Sequence, residues 1–295
     1  MIFQDARDYQ ILFLGSFLLL GISTRDWTLR PDLILVLILS CLLTQILLSG
    51  AGFDFKMVTL MPRLSLNPPL HWRYEVALSW RSALITALGL CLLLRANEYS
   101  TLALAGVGAI ASKFFFRFRG KHFFNPANFG IIAALLFTND AWVSPGQWGT
   151  DWWYLLLFLG TGGMILKRVG RWDTSAAFLL AYTILEAMRN FYLGWSWDVL
   201  HHQLMSGSLL LFALFMLTDP RSIPNSYFSR LIWAIALAVL TFILQHQFYL
   251  ETAMFWALFI LSPCTIFLDK VWSAPRFSWQ FIPRRAYGAG LETIS

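Results

Sequence analysis

The chain has 295 residues, of which 58% are hydrophobic, 17% aromatic and only 13% charged, and its mean hydropathy is +0.61. A soluble domain devotes roughly a quarter of its residues to charge, so this composition excludes a soluble globular protein and describes a polytopic membrane protein. The net charge of +6 follows from basic loops facing anionic lipid at one membrane surface and implies no nucleic-acid partner.

Apolar runs of bilayer-crossing length predict an all-α protein with ten spans, near residues 10 to 24, 32 to 50, 77 to 94, 99 to 116, 126 to 138, 152 to 166, 174 to 190, 204 to 218, 229 to 245 and 250 to 268. The fifth and sixth are short, which a tilt, a broken helix or a shifted boundary would each explain. The first lacks a basic leader set apart from a small-residue cleavage site, so it is expected to be retained rather than cleaved. Trp27, Trp72, Trp80, Trp142, Trp152, Trp153, Trp195, Trp197 and Trp272 lie near span ends, where amphipathic rings sit at headgroup level. With both termini in the cytoplasm, only Arg25, Arg30, Arg95 and Arg189 of the 22 basic residues fall outside, and the other 18 fall inside. An odd number of spans would scramble that asymmetry, so the expected location is the inner (plasma) membrane.

The third and eighth spans align without a gap, Ser82 to Arg95 lying over Ser206 to Asp219. Because one runs outward and the other inward, the chain reads as two inverted five-helix repeats, 1–138 and 152–270. An outer connecting loop at 139–151 would join them, and a basic, aromatic cytoplasmic tail at 271–295 would follow.

Two polar, proline-bearing strings interrupt this apolar chain. In the first, Phe124-Asn125-Pro126-Ala127-Asn128-Phe129-Gly130, Asn125 is placed to cap a helix that begins at Pro126, whose missing N–H costs nothing there. The free N–H groups of that helix start, beside the basic stretch Lys113 to His122, would favour an anionic or carbonyl-rich ligand; the plainer alternative is a capped helix entry. The second string is Met216-Leu217-Thr218-Asp219-Pro220-Arg221-Ser222, where Pro220 ends the eighth span. Asp219 is then either a stop salt-bridged to Arg221 or a carboxylate that meets a ligand's imide or hydroxyl, or handles a proton or cation.

The remaining signals are weaker. Glu186 stands within the seventh span, three residues before Arg189, a spacing that allows a local pair. His201, His202 and His246 fall outside and His71 and His122 inside, with no spacing that suggests haem. Cys41, Cys91 and Cys264 are isolated, which argues against an iron–sulfur site or a disulfide. No metal signature, phosphate-binding loop, dinucleotide fingerprint or nucleophile elbow occurs, so the chain has no self-contained catalytic motif.

Taken in order, the first string, the Ser206-Gly207-Ser208 stretch and Phe215 to Ser222 resemble the RnfD/NqrB family, the membrane flavin subunit shared by the Rnf electron-transport complex and the sodium-pumping NADH:quinone reductase. Ser82 to Thr86 and the closing Ser262-Pro263 to Leu268-Asp269 agree with that family, so the likeness runs over about residues 10 to 276. The resemblance implies a ten-helix inverted-repeat subunit that holds flavin and passes electrons within a multi-subunit complex, coupled to sodium or proton movement. Members with covalent FMN carry it on a threonine in a Ser-x-Ala-Thr loop; no such string occurs here, so this reads as a shortened member without covalent FMN.

Three roles follow. The first is an electron-transfer or coupling subunit binding FMN, riboflavin or quinone noncovalently, with Phe124, Asn125, Pro126, Asn128, Ser206, Gly207, Thr218 and Asp219 as the expected contacts. Its ring would lie among Phe123, Phe124 and Phe129. The second is a small-solute or ion pathway of inverted-repeat type, and the third a structural membrane anchor for a redox partner. Other membrane subunits and the lipid bilayer are the expected partners.

Overall fold

The computed structural model describes residues 5–25, 30–50, 70–144 and 152–277. Trp27, the stretch bearing Lys56 and Arg63, residues 145–151 of the connecting loop and the tail beyond Phe277 lie outside the described residues, as do the side chains of His71, Trp72, Arg73 and Trp152.

Helix occupies every apolar run. The long helices are α1 (Ala6–Arg25), α2 (Pro31–Gly50), α3 (Leu70–Leu93), α4 (Tyr99–Phe115), α5 (Pro126–Phe137), α6 (Trp152–Val169) and α7 (Trp172–Tyr192). Then come the short α8 (Trp197–Leu204) and α9 (Gly207–Leu211), which continues as a π turn over Phe212–Met216, followed by α10 (Tyr227–Gln247), α11 (Ala253–Leu261) and α12 (Cys264–Val271). By length and composition α2 and α10 suffice to cross a membrane, as do two further segments if each bent pair counts as one span. The molecule is accordingly an all-helical membrane protein.

Three expectations are revised. The sixth segment is not short, since α6 runs on to Val169 over 18 residues. The eighth is entered through a further short helix, α8, which meets α9 at a 48° bend around Met205 and Ser206. The tenth is also bent by 48°, between α11 and α12, where Pro263 removes a donor and its ring crowds the preceding turn.

Lipid is as apolar as leucine, so close backbone approach and internal polar ties, rather than exclusion from water, hold such helices together. At the α4/α5 contact a Cβ on Gly130 would lie 2.5 Å from the Ala105 carbonyl oxygen and 2.9 Å from Ala109 Cβ, so only glycine fits. Arg230 and Asp173 form a buried ion pair at 2.7 Å that joins the starts of α10 and α7. At another junction Asp32, Arg30 and Tyr99 form a hydrogen-bonded triad joining the starts of α2 and α4.

Two small antiparallel pairs order the connections. β1 (Leu94–Arg95) pairs with β4 (Trp142–Val143), and Asp140 accepts hydrogen bonds from the backbone N–H groups of Asn97 and Glu98. β2 (Arg117–Phe118) pairs with β3 (Lys121–His122) across a two-residue turn in which Arg119 and Gly120 both take positive φ, 51° and 82°, the geometry that matches strand twist.

Gly130→Ala is expected to pry α4 from α5 and to lower stability by about 1–3 kcal/mol, the usual range for overpacking. Gly108→Ala, whose added Cβ meets only Ala133 Cβ at 3.6 Å, should leave the unfolding midpoint in detergent within a degree or two or raise it slightly; thermal unfolding of both variants is the check.

Candidate functional site

The chemistry concentrates at the end of the bundle that carries the β2–β3 turn. Asn125 has extended backbone, φ −67° and ψ 125°, and caps α5: its Oδ1 accepts from the Asn128 backbone N–H at 3.0 Å. Its Nδ2 donates across 91 positions of sequence to the Met216 carbonyl at 2.9 Å. That carbonyl closes the π turn, where the Leu217 N–H reaches back to Phe212 and the last carbonyls have no helical partner. One amide thus serves a helix start and a helix stop. Asn128 sits behind it, 1% exposed, with its Nδ2 on the Phe255 carbonyl and its Oδ1 unpartnered among the described residues.

Past the π turn, Thr218 donates to the Leu214 carbonyl at 3.0 Å. Asp219 Oδ1 accepts from the Arg221 backbone N–H at 3.2 Å, and its Oδ2 stands 3.4 Å from His122 Nε2. The expected stop at Asp219 is therefore tied to Arg221 through the main chain and to His122 through a side chain. Lys121 locks the same loop in place, donating to the Ile223 carbonyl at 2.6 Å and pairing with Asp269 at 2.6 Å, while Asp269 also accepts the Asn225 N–H at 2.7 Å.

These groups border a cavity of about 710 Å³, walled by α1 to α4, the starts of α5 and the 218–221 loop, the end of α6 and the π turn. That volume is in the range of a cofactor-sized site. Of the expected contacts, Asn125, Pro126, Thr218 and Asp219 line it. Phe124 and Asn128 stand behind the wall. Phe124 packs in a ring cluster with Phe116, Phe123, Phe129 and Phe259, and is stacked on Phe259 at 4.9 Å. The protein's own rings fill the slot expected for a ligand, and the aromatic faces bordering the cavity are instead Phe114, Phe215 and Phe277. Ser206 and Gly207 lie away from it at the bend before α9, with Ser206 Oγ on Ser208 Oγ at 2.9 Å.

Sequence reasoning missed Gln45 and did not count Ser82 or Lys113 among the contacts, although all three are on the cavity wall. The basic stretch beginning at Lys113 was the available signal. Helical spacing also suggested a pair between Glu186 and Arg189. In the structure Glu186 Oε1 meets His246 Nε2 at 2.7 Å, and the Arg189 guanidinium lies over the Trp195 ring at 4.7 Å. Glu186 therefore joins α7 to α10 rather than serving its own helix. Among the described residues no group of three or more His, Cys, Asp or Glu is arranged to hold a metal.

Burial pushes the His122 imidazole below its ordinary value, against the pull of Asp219. Burial would raise the Asp219 carboxyl, but the hydrogen bond from His122, the Arg221 N–H and the charge of Lys113 outweigh it and hold the group below the usual carboxylate range. An unfolded imidazole binds a proton near pH 6.5 while the folded one resists it, so the unfolded state binds more protons below that pH and stability falls. The unfolding midpoint should therefore drop as pH is lowered below about 6.5, and His122→Gln should flatten that slope. Asp219 extends the loss once pH falls below the ordinary aspartate value of 3.8. For Asn125→Ala the expected losses are about 1 kcal/mol for the cap and about 0.5–1.5 kcal/mol for the lost hydrogen bond to the Met216 carbonyl, which keeps the Asp219 N–H at 3.3 Å. Asn125→Asp should retain the cap and lose the second contribution, and denaturation of both variants separates the two.

The NQR2, RnfD, RnfE family matches residues 136–278, a narrower stretch than the motifs suggested; it contains Thr218 and Asp219 but not Asn125. A subunit of the ion-translocating oxidoreductase complex of Stutzerimonas stutzeri is 31% identical over 122 residues, 40% of this chain and 33% of that protein. Its namesake in Cellvibrio japonicus is 26% identical over 168 residues, 54% of this chain and 46% of its own. That of Actinobacillus pleuropneumoniae serotype 5b is 22% identical over 147 residues, 49% and 39% respectively. The chain thus matches less than half the length of these curated relatives. Over residues 136–278 the chain is similar to the NQR2, RnfD, RnfE family, in agreement with its motifs and helical architecture.

Proposed function

We propose that the protein is an integral-membrane subunit of an electron-transport complex, binding a flavin or quinone noncovalently in the cavity between its two halves and linked there to ion translocation. The observation that carries this reading is the convergence of Asn125, Thr218 and Asp219 on one cofactor-sized cavity. An amide, a hydroxyl and a carboxylate beside apolar wall residues such as Leu14, Ile85, Leu92 and Phe215 suit a planar ligand that needs burial for its ring and polar groups for orientation. The relatives' names, as subunits of ion-translocating oxidoreductase complexes, point the same way. FMN and riboflavin are both candidates for the flavin; covalent FMN is not part of the proposal.

The ten-span, inverted-repeat architecture belongs to this proposal. In its support, helix neighbours recur: α4 packs on α2 and α5, and α10 packs on α7 and α11. Local polar ties recur too, since Asp32 at the start of α2 is tied to Tyr99 opening α4, and Asp173 at the start of α7 is tied to Arg230 in the first turn of α10. Both termini are assigned to the cytoplasm and the cavity to the cytoplasmic side, because Lys113, Arg117 and Lys121 border it. The halves are 1–138 and 152–270. Segments broken by 48° around Ser206 and Pro263 favour a second reading, an ion or small-solute pathway, because discontinuous helices recur where transporters bind their cargo.

The test is an absorbance spectrum of the purified protein, with mass spectrometry of what denaturation releases. A flavin or quinone is expected. Asp219→Asn, which leaves the Asn125 bridge intact, should lower its occupancy by half or more without changing the elution profile. A colourless, quinone-free protein that carries ion flux in liposomes would replace the first reading with the second.

A further inference from the structure

The walls of the cavity carry an imbalance of charge that the flavin or quinone reading does not use. Lys113 ends α4 on the cavity wall and is only 6% exposed. Its ammonium donates to the Ser82 carbonyl at 3.2 Å and to Ser82 Oγ at 3.1 Å, both neutral acceptors. Among the described residues no carboxylate lies within ion-pair distance of it. A buried ammonium is costly unless paired, and its position on a cavity supplies the place where a partner would sit.

The surroundings strengthen the case. Arg7, Arg117, Lys121, Arg221 and Arg276 also border the cavity, and Asp219 is the only carboxylate among the described lining residues. Lys121 is committed to Asp269 at 2.6 Å, and Asp219 to His122 and the Arg221 N–H. Clefts lined by one sign of charge and low-dielectric walls concentrate ions of the opposite sign. On α2, Gln45 Oε1 is buried on the same cavity without a partner among the described residues, so the site also offers an acceptor to a ligand N–H or O–H.

We infer that the cavity contains an anion subsite, built by Lys113 and Ser82, that holds the phosphate ester of its ligand. The inference rests on the proposed function and narrows it: among flavins, phosphate-bearing FMN is preferred over uncharged riboflavin. A phospholipid headgroup carries the same phosphate-ester chemistry and is the other possible source. Ammonium-to-phosphate hydrogen bonds are charge-assisted and roughly twice as strong as neutral ones, so loss of Lys113 should act on the phosphate-bearing ligand alone.

The experiment titrates FMN, riboflavin, ubiquinone-1 and inorganic phosphate onto the full chain in neutral detergent, and identifies bound lipid by native mass spectrometry after reconstitution with and without phosphatidylglycerol. FMN is expected to bind at least about tenfold tighter than riboflavin, a difference of about 1.4 kcal/mol, and phosphate should compete with it. Lys113→Gln should abolish the preference while leaving riboflavin binding unchanged, and Lys113→Arg should restore part of it. Ser82→Ala, which removes one neutral acceptor and no charge, reports on the subsite if Lys113→Gln fails to fold, and should weaken FMN but not riboflavin. Equal binding of both flavins, insensitive to both variants, overturns the subsite and leaves the flavin reading standing; binding of ubiquinone-1 alone overturns the subsite and the flavin reading and leaves the quinone reading standing. Retention of phosphatidylglycerol that depends on Lys113, with no flavin or quinone bound, upholds the subsite with a lipid source and overturns the flavin reading. No binding of any probe overturns both.

Discussion

The carboxamide of Asn125 is the interaction on which the site depends. Its oxygen takes an N–H of the helix it opens and its nitrogen takes the carbonyl of the segment it faces, so the beginning of α5 and the end of the π turn are fixed to each other by one side chain. Both groups are orphans of helix termini, and in a nonaqueous interior each must find a partner within the protein. Asparagine carries an acceptor and a donor on one planar group; aspartate lacks the donor.

Around that tie several charged and amide groups are occupied by one another. Lys121, Asp269 and Asn225 form a closed set, as do Arg230, Asp173 and the Asn225 carbonyl. On the cavity, Lys113 meets only the neutral acceptors of Ser82, and Gln45 Oε1 has no partner among the described residues. That division separates polar residues that hold the fold from those available to a ligand, which composition and spacing alone do not do.

The irregular helices have a related logic. The π turn of Phe212–Met216 and the bend at Ser206 sit in one segment, with the cavity at one end and the bend toward the other. Even a straight α-helix would leave the Met216 carbonyl without its i+4 donor, because residue 220 is proline, so this carbonyl is open to Asn125 Nδ2. The bend between α11 and α12 likewise places Asp269 beside Lys121, which anchors the β2–β3 turn against the 218–225 loop.

Local chemistry in the sequence determined the membrane class, the positions of the apolar helices, the cap at Asn125, the stop at Pro220 and the family likeness, because each rests on periodicity, proline geometry or residues within a few positions of one another. The bend at Ser262-Pro263 was not read from the sequence, where the tenth span is continuous. Tertiary structure alone decided that Asn125 reaches Met216, that Asp219 meets His122, that Glu186 turns to His246, and that Phe124 spends its ring on Phe259. It also decided that Ser82, Gln45 and Lys113, on three different helices, face one cavity. Such contacts join residues tens of positions apart or more, and in apolar helices, where nearly every face is hydrophobic, no periodicity marks which face turns inward; only packing chooses it.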